Sequence, residues 1–186
     1  MSLSPVLALL RAHAARALDP HEAAMTAETI RFVEAHPDCL RRSCLAGHLT
    51  GSAWVLDPTR TQVLLTHHRK LDRWLQLGGH ADGDPDLLAV ALKEAREEGG
   101  ITGLRVLSPE PFDVDRHRIP ARGEVPGHWH FDLRFLIEAD PAERVVVSDE
   151  SHDVAWVPLA HVEKLNPDES MMRMVRKTLL SAPSKI

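Results

Sequence analysis

The stretch Gly78-Gly79-His80-Ala81-Asp82-Gly83-Asp84-Pro85, followed by Lys93-Glu94-Ala95-Arg96-Glu97-Glu98-Gly99-Gly100-Ile101, decides how this sequence is read. A glycine corner leads into a helix whose limits are written in its own residues. Asp84 reads as an N-cap, Pro85 suits the first helical position, and Asp86 complements the positive end of the dipole. Leu88, Ala91, Leu92 and Ala95 recur at helical spacing and predict a buried stripe, and Gly99-Gly100 supplies the stop. Glu94, Glu97 and Glu98 lie on the flank away from that stripe. They are three and four residues apart, so their side chains are expected to converge. Like charges at this spacing are destabilising unless something positive sits between them. Lys93, four residues before Glu97, is one such group, and a solvated helix face is the plain reading. A hard divalent cation, Mg²⁺ with Mn²⁺ as its substitute, is the other, and such an ion commonly accompanies a diphosphate.

The rest of the composition narrows the classes. With 186 residues and 44% hydrophobic content, the chain is long and apolar enough for a sizeable core without staples. A net charge of −5 argues against a nucleic-acid polymer as partner, since backbone binders are usually basic. An acidic protein acting on acidic phosphates needs metal ions to mediate the contact. Cys39 and Cys44 are the only cysteines. Their spacing lacks the two further ligands of a structural zinc site and reads as reduced thiols, hence a cytoplasmic protein. No run approaches the apolar length that spans a bilayer, so no membrane partner is expected. The acid-free first 18 residues, broken by Arg11, His13 and Arg16, read as an amphipathic helix rather than a targeting segment.

Along the chain, residues 4–17 and 21–35 read as two helices separated by Asp19-Pro20, and His36-Pro37-Asp38 ends the second. This 1–44 helical extension is free to pack on the body or on a second subunit, so a homodimer is one arrangement it allows. From about Gly47 the texture changes to strands. Leu49, Gly51, Ala53 and Val55 alternate, Asp57-Pro58-Thr59-Arg60 is a turn, and Gln62–Thr66 returns. Trp74–Leu77 is a short strand entering the glycine corner. Leu104–Leu107, Phe112–His117, a long strand from His128 to Glu138, and Val154–Val157 follow the helix. Two short helices near 159–165 and 168–181 close the chain. The reading is α/β (α+β): a mixed sheet flanked by helices, one structural domain with its body over 45–186.

In the long strand, Trp129, Phe131, Leu133, Phe135 and Ile137 share one face, and His128, His130, Asp132 and Arg134 share the other. Such alternation predicts one core face and one polar face. The polar face is expected either in solvent or as a wall of a substrate cleft, with His130 and Asp132 as contacts. His128, His130 and Asp132 also have the make-up of a two-histidine, one-carboxylate metal triad. The carboxylate helix explains a metal site more fully. His80, directly after the glycine corner, is a further candidate for a phosphate contact.

The register of these residues resembles the Nudix box, GX5EX7REUXEEXGU, where U is a bulky aliphatic. Gly79, Glu94, Glu97, Glu98, Gly100 and Ile101 match. Pro85 stands where the first Glu is expected, Lys93 replaces Arg, and Ala95 replaces the aliphatic. Pro85 makes sense as a helix start, and Asp84 or Asp86 is placed to supply the missing charge. Lys93 keeps the charge but lacks the planar fork that orients a glutamate, which leaves catalytic strength open. The box covers residues 79–101, and the surrounding strands extend the resemblance over roughly 45–165.

The resemblance implies an α/β/α sandwich and a metal-dependent hydrolase that cleaves the diphosphate linkage of a nucleoside diphosphate joined to another moiety. The leading substrates are a nucleotide sugar or ADP-ribose type of compound and a modified nucleoside triphosphate. It implies Glu94 and Glu98 as metal ligands, and Glu97 as a further ligand or the general base. Lys93 would stand beside them in the catalytic arrangement. A fourth carboxylate often joins such a cluster from a distant loop, and Glu150 is the candidate, with Asp149 and Asp153 behind it. A backbone carbonyl near Gly78 or Gly79 would complete the shell, because glycine allows close approach. Arg73, Arg116, His117 and Arg122 are candidate diphosphate contacts. The competing class is a non-catalytic ligand-binding sensor of the same family, which Pro85 and Lys93 favour and the three glutamates oppose. An isomerase of allylic diphosphates would ask for a cysteine near the cleft, and Cys39 and Cys44 lie upstream of the sheet.

Overall fold

Proline and aspartate fix the N-terminal elements of the computed structural model, which describes residues 2–16 and 18–181. The first helix, α1 (Ser4–Ala14), has proline in its first turn. It stops before the expected residue 17, and Ala17 lies outside the described residues. The second, α2 (Pro20–Ala35), is capped by Asp19, whose carboxylate accepts from the backbone N–H of His21 and Glu22 at 2.9 and 3.0 Å. Buried His13 and Glu22 meet at 2.9 Å and join the two helices.

The strands follow in the order β1 (Gly47–Leu56), β2 (Gln62–His68), β3 (Arg73–Leu75) and β4 (Leu77–His80), then α3 (Leu87–Gly99). After it come β5 (Arg105–Val106), β6 (Asp113–Ile119), β7 (His128–Glu138) and β8 (Ser151–Pro158). A 3₁₀ turn (Leu159–His161), α4 (Val162–Leu165) and α5 (Glu169–Ser181) end the described chain. These strands form one mixed sheet with the path β3-β2-β1-β7-β5, on which β4 pairs with β1, β6 with β7 and β8 with β2. Among the described residues no helix is long and apolar enough to cross a membrane.

The expected single strand over Trp74–Leu77 is two strands, because β3 pairs with β2 and β4 with β1. The helix start also differs from the sequence expectation. Asp86, not Asp84, is the cap: its carboxylate accepts from the Ala89 N–H at 3.0 Å and its carbonyl from the Val90 N–H at 3.0 Å. Asp84 instead closes a turn on the Asp86 N–H at 2.9 Å. Pro85 therefore precedes the helix, and it holds Asp84 out of the helical region.

The chain forms two compact units, one of Met1–Ser52, Gly78–Ala91 and Ser108–Phe135, the other of Ala53–Leu77, Leu92–Leu107 and Leu136–Ile186. In the first unit the N-terminal helices pack directly on strands. Phe32 stacks on Phe131 with ring centroids 4.0 Å apart, and Glu28 pairs with Arg116 at 2.6 Å. Gly78 lies against Ser52 so closely that an added Cβ would stand 2.2 Å from its Oγ and 2.8 Å from its Cα.

The polar face of β7, expected in solvent or as a cleft wall, is buried in its second half. Arg134 is 2% exposed and lies 2.9 Å from Asp132, 3.0 Å from Asp113 and 3.6 Å from Asp115. Asp132 also accepts from the Thr50 and Ser52 hydroxyls at 2.8 and 2.7 Å. Burial works against its charge, but the Arg134 guanidinium, with the neighbouring donors, holds its carboxyl below the usual range.

In the second unit, Asp57 organises the β1–β2 turn by accepting from the N–H groups of Thr59, Thr61 and Gln62 at 3.0, 2.8 and 2.6 Å. β8 runs antiparallel to β2 from Gln62↔Pro158 to His68↔Ser151. Fully buried Trp54 donates to the Thr178 hydroxyl at 3.0 Å, which ties β1 to α5.

Two outcomes are expected from equilibrium urea unfolding. Arg134→Met, which leaves three buried carboxylates facing one another, costs about 3–5 kcal/mol. Gly78→Ala, which drives a methyl group into the Ser52 backbone, costs about 1–3 kcal/mol.

Candidate functional site

The acidic helix belongs to the second unit over Lys93–Gly99. Its end is shaped by close packing: a Cβ on Gly99 would stand 3.2 Å from Leu77 and 3.4 Å from Leu64. Gly100 has φ +69°, and its N–H bonds the Arg96 carbonyl at 2.9 Å, a left-handed stop that favours glycine. Ala95 is fully buried, so a small side chain occupies the place of the expected bulky aliphatic.

The three glutamates occupy different environments. Glu98 is 6% exposed, the Glu94 side chain 17%, and that of Glu97 59%. The Lys93 ammonium stands 3.2 Å from Glu94 and 3.4 Å from Glu97. Its hydrogen bond to Glu94, reinforced by Glu97, raises its pKa. The Lys93 cation meets Glu94 and Glu97, and Glu98 is buried.

The remaining candidates of this unit have other partners. Arg73, on β3, is ion-paired with Asp168 at 2.6 Å. Exposed Glu150 sits on the turn before β8, where its carbonyl accepts from the Arg69 N–H at 2.9 Å. A cavity of about 440 Å³ is lined by Trp74 and Trp156 with Asp153 and Lys164.

The first unit carries Gly79, His80, His130 and Asp132. Asp132 is 1% exposed and engaged by Arg134, Thr50 and Ser52, so the structure makes it an internal anchor rather than a wall of a cleft. His80 and His130 belong to a cluster of imidazoles that also holds His48, His117 and His128. The His48 ring centroid lies 4.9 Å from His80, 4.9 Å from His128 and 4.7 Å from His130. His130 lies 4.8 Å from His80 and 5.3 Å from His117.

Burial disfavours charge on these rings. It pushes His80 down to about 4, with Arg42 and His48 adding to the effect, and takes His130 well below the usual range, helped by His117. His48 and His117 are lowered by the same cause. At neutral pH these four rings are uncharged and present lone pairs. Among the described residues, the ligand atoms of His48, His128 and His130 all lie within 4.8 Å of one another, and the box glutamates do not gather in this way.

Sequence reasoning found His80, His128 and His130 but missed His48, the second residue of β1, in a stretch read only for its apolar alternation. The signal that brings it in is tertiary: the Trp129 N–H bonds the Ala46 carbonyl at 3.2 Å, which sets the start of β1 beside the start of β7.

Comparison with known proteins agrees with this architecture. A sequence model of the NUDIX domain matches residues 48–177. The Ap4A hydrolase of C. elegans, solved as a binary complex, superposes with a TM-score of 0.58 at 19% identity, covering 71% of this chain and 95% of that one. The E. coli dihydroneopterin triphosphate pyrophosphohydrolase gives 0.55 at 14% identity, covering 72% and 96%. The NUDIX domain of Shewanella oneidensis NrtR, co-crystallised with ADP ribose, gives 0.50 at 17%, covering 71% and 86%. The search of curated proteins returns no match. With the family match spanning more than two thirds of the sequence and the box in place at Gly79–Ile101, the chain belongs to the NUDIX domain family.

Proposed function

We propose that the protein cleaves the diphosphate linkage of a nucleoside diphosphate joined to another moiety, with Mg²⁺ or Mn²⁺ held by Glu94, Glu97 and Glu98. A nucleotide sugar, an ADP-ribose-like compound and a modified nucleoside triphosphate are the substrate classes this covers. The carrying observation is that Glu98, 6% exposed, lies one helical turn from Glu94, whose side chain is 17% exposed. Such a pair offers only oxygen donors in a partly dry setting, which suits a hard divalent cation. The compounds named with the structural relatives, Ap4A, dihydroneopterin triphosphate and ADP ribose, all carry phosphoric anhydrides, which supports the same class.

The bound cation would screen the phosphate charges and lower the pKa of the attacking water. The chain's own residues do the rest. Glu94 and Glu98 would hold the ion from successive turns of α3. Glu97, the most exposed of the three carboxylates, is a further ligand or, as the base, accepts the proton released as water attacks phosphorus and the anhydride P–O bond breaks. Lys93 fixes the orientation of Glu94 and Glu97 through a point charge, where an arginine would use a fork. Glu150 is proposed as the further carboxylate, recruited from its exposed turn. Arg73 and Asp132, already engaged by Asp168 and Arg134, are not put forward as substrate contacts.

A phosphate-release screen over nucleoside diphosphate derivatives, with and without divalent metal, tests the reading. Turnover is expected only with metal, and binding without turnover across the panel would identify a sensor instead. Glu98→Gln is expected to lower kcat at least about 10²-fold while the melting temperature holds. Near-normal activity in that variant would remove Glu98 from the site. Lys93→Ala is expected to lower kcat by about 10-fold or more, with Lys93→Arg retaining most of it.

A further inference from the structure

We propose that His48, His128 and His130 form a second metal site, distinct from the carboxylate helix, that takes a borderline divalent transition ion with zinc as its first choice. Nothing in the diphosphate reading requires it, and it stands on the geometry of three rings.

His48 is 4% exposed, and neither ring nitrogen makes a hydrogen bond of normal geometry, although the Cys44 backbone stands near enough to favour an N–H on the ring. A neutral imidazole always carries one N–H and one lone pair, so the lone pair of this ring has no donor inside the protein. Native structures rarely tolerate that without a ligand or an ordered water. The ring faces a cavity of about 360 Å³ that Arg42, Cys44, His80, Glu124 and His128 also line.

His128 is set up as a ligand by its outer hydrogen bond. Its Nδ1 lies 2.9 Å from the Pro126 carbonyl oxygen, which can only accept, so the proton is on Nδ1 and the lone pair on Nε2. Metal-bound histidines are held in this way, with the second nitrogen donating to a carbonyl or carboxylate. That Nε2 lies 3.3 Å from Nε2 of His130. Two nitrogens bound to one tetrahedral zinc at 2.0–2.1 Å are separated by about 3.3–3.4 Å. That separation is a hydrogen bond between the rings of the metal-free chain and equally the bite a single ion requires, and His48 brings a third ligand atom within 4.8 Å.

Donor chemistry separates this site from the helix. Imidazoles suit zinc and its neighbours, whereas carboxylates suit magnesium and manganese. Three protein nitrogens would leave one tetrahedral position for water or a further ligand. A three-histidine set with an open position is the arrangement of a reactive rather than a closed structural zinc.

Isothermal titration of the metal-free full chain with zinc chloride, in excess magnesium, tests the site. One zinc ion per chain is expected to bind, with affinity reduced at least about 100-fold in His48→Ala and in His130→Gln and retained in Glu98→Gln. Cobalt(II) on the wild-type chain is expected to give the intense visible absorption of a four-coordinate centre. Zinc that does not bind, zinc that binds equally to the histidine variants, or a pale octahedral cobalt spectrum would each overturn the proposal and leave a dry imidazole cluster. Because the readout is metal binding and colour, failure here leaves the hydrolase reading untouched, and loss of phosphate release does not count against the zinc site. Should a histidine variant fail to fold, the cobalt spectrum of the wild-type chain decides the matter alone.

Discussion

The buried charge of Arg134 is the interaction on which much of the first unit depends. A guanidinium that is 2% exposed holds Asp132, Asp113 and Asp115, and Asp132 in turn gathers the hydroxyls of Thr50 and Ser52. Desolvation makes such a cluster costly to build and still more costly to leave half built. What it supplies is register. Strand side chains repeat every two residues, so His48 precedes Thr50 on the same face as surely as His130 precedes Asp132. Ser52, at the far side of the cluster, presses against Gly78, two residues before His80. One polar layer therefore aligns three strands, and the imidazoles are its continuation.

The two candidate sites are built on opposite principles. On α3, Lys93 offsets the repulsion between Glu94 and Glu97 through contacts of 3.2 and 3.4 Å. Around His48 the rings lose their charge to burial, and five of them tolerate each other because four stay neutral at ordinary pH. A hard cation fits the first setting and a borderline one the second. Selectivity between metals would then follow from how each unit handles proton and charge rather than from the number of ligands.

Sequence patterns revealed the elements far better than their surroundings. The acid spacing on α3, the Asp57 turn and the alternation of β7 are local facts, governed by residues a few positions apart. Burial of Asp132 and Arg134 is not local, since it needs Thr50, Ser52, Asp113 and Asp115 to arrive from other segments. Hence the alternation of β7 alone pointed its polar face to solvent or a cleft. The helix start failed for a smaller reason: Asp84 and Asp86 are both good caps, and only the Ala89 N–H shows which is used. His48 was hidden because a lone histidine among apolar residues carries no pattern of its own.

The contacts of α2 bear on how the protein can be cut. The family match begins at His48, yet Phe32 covers the ring of Phe131 and Glu28 holds Arg116, which lies 4.2 Å over Trp129. A fragment trimmed to the family boundary would strip an aromatic surface of its cover and leave a cation without its counter-charge. Such exposed apolar patches promote aggregation. The N-terminal helices are therefore part of the packing of this chain, although they precede the family boundary.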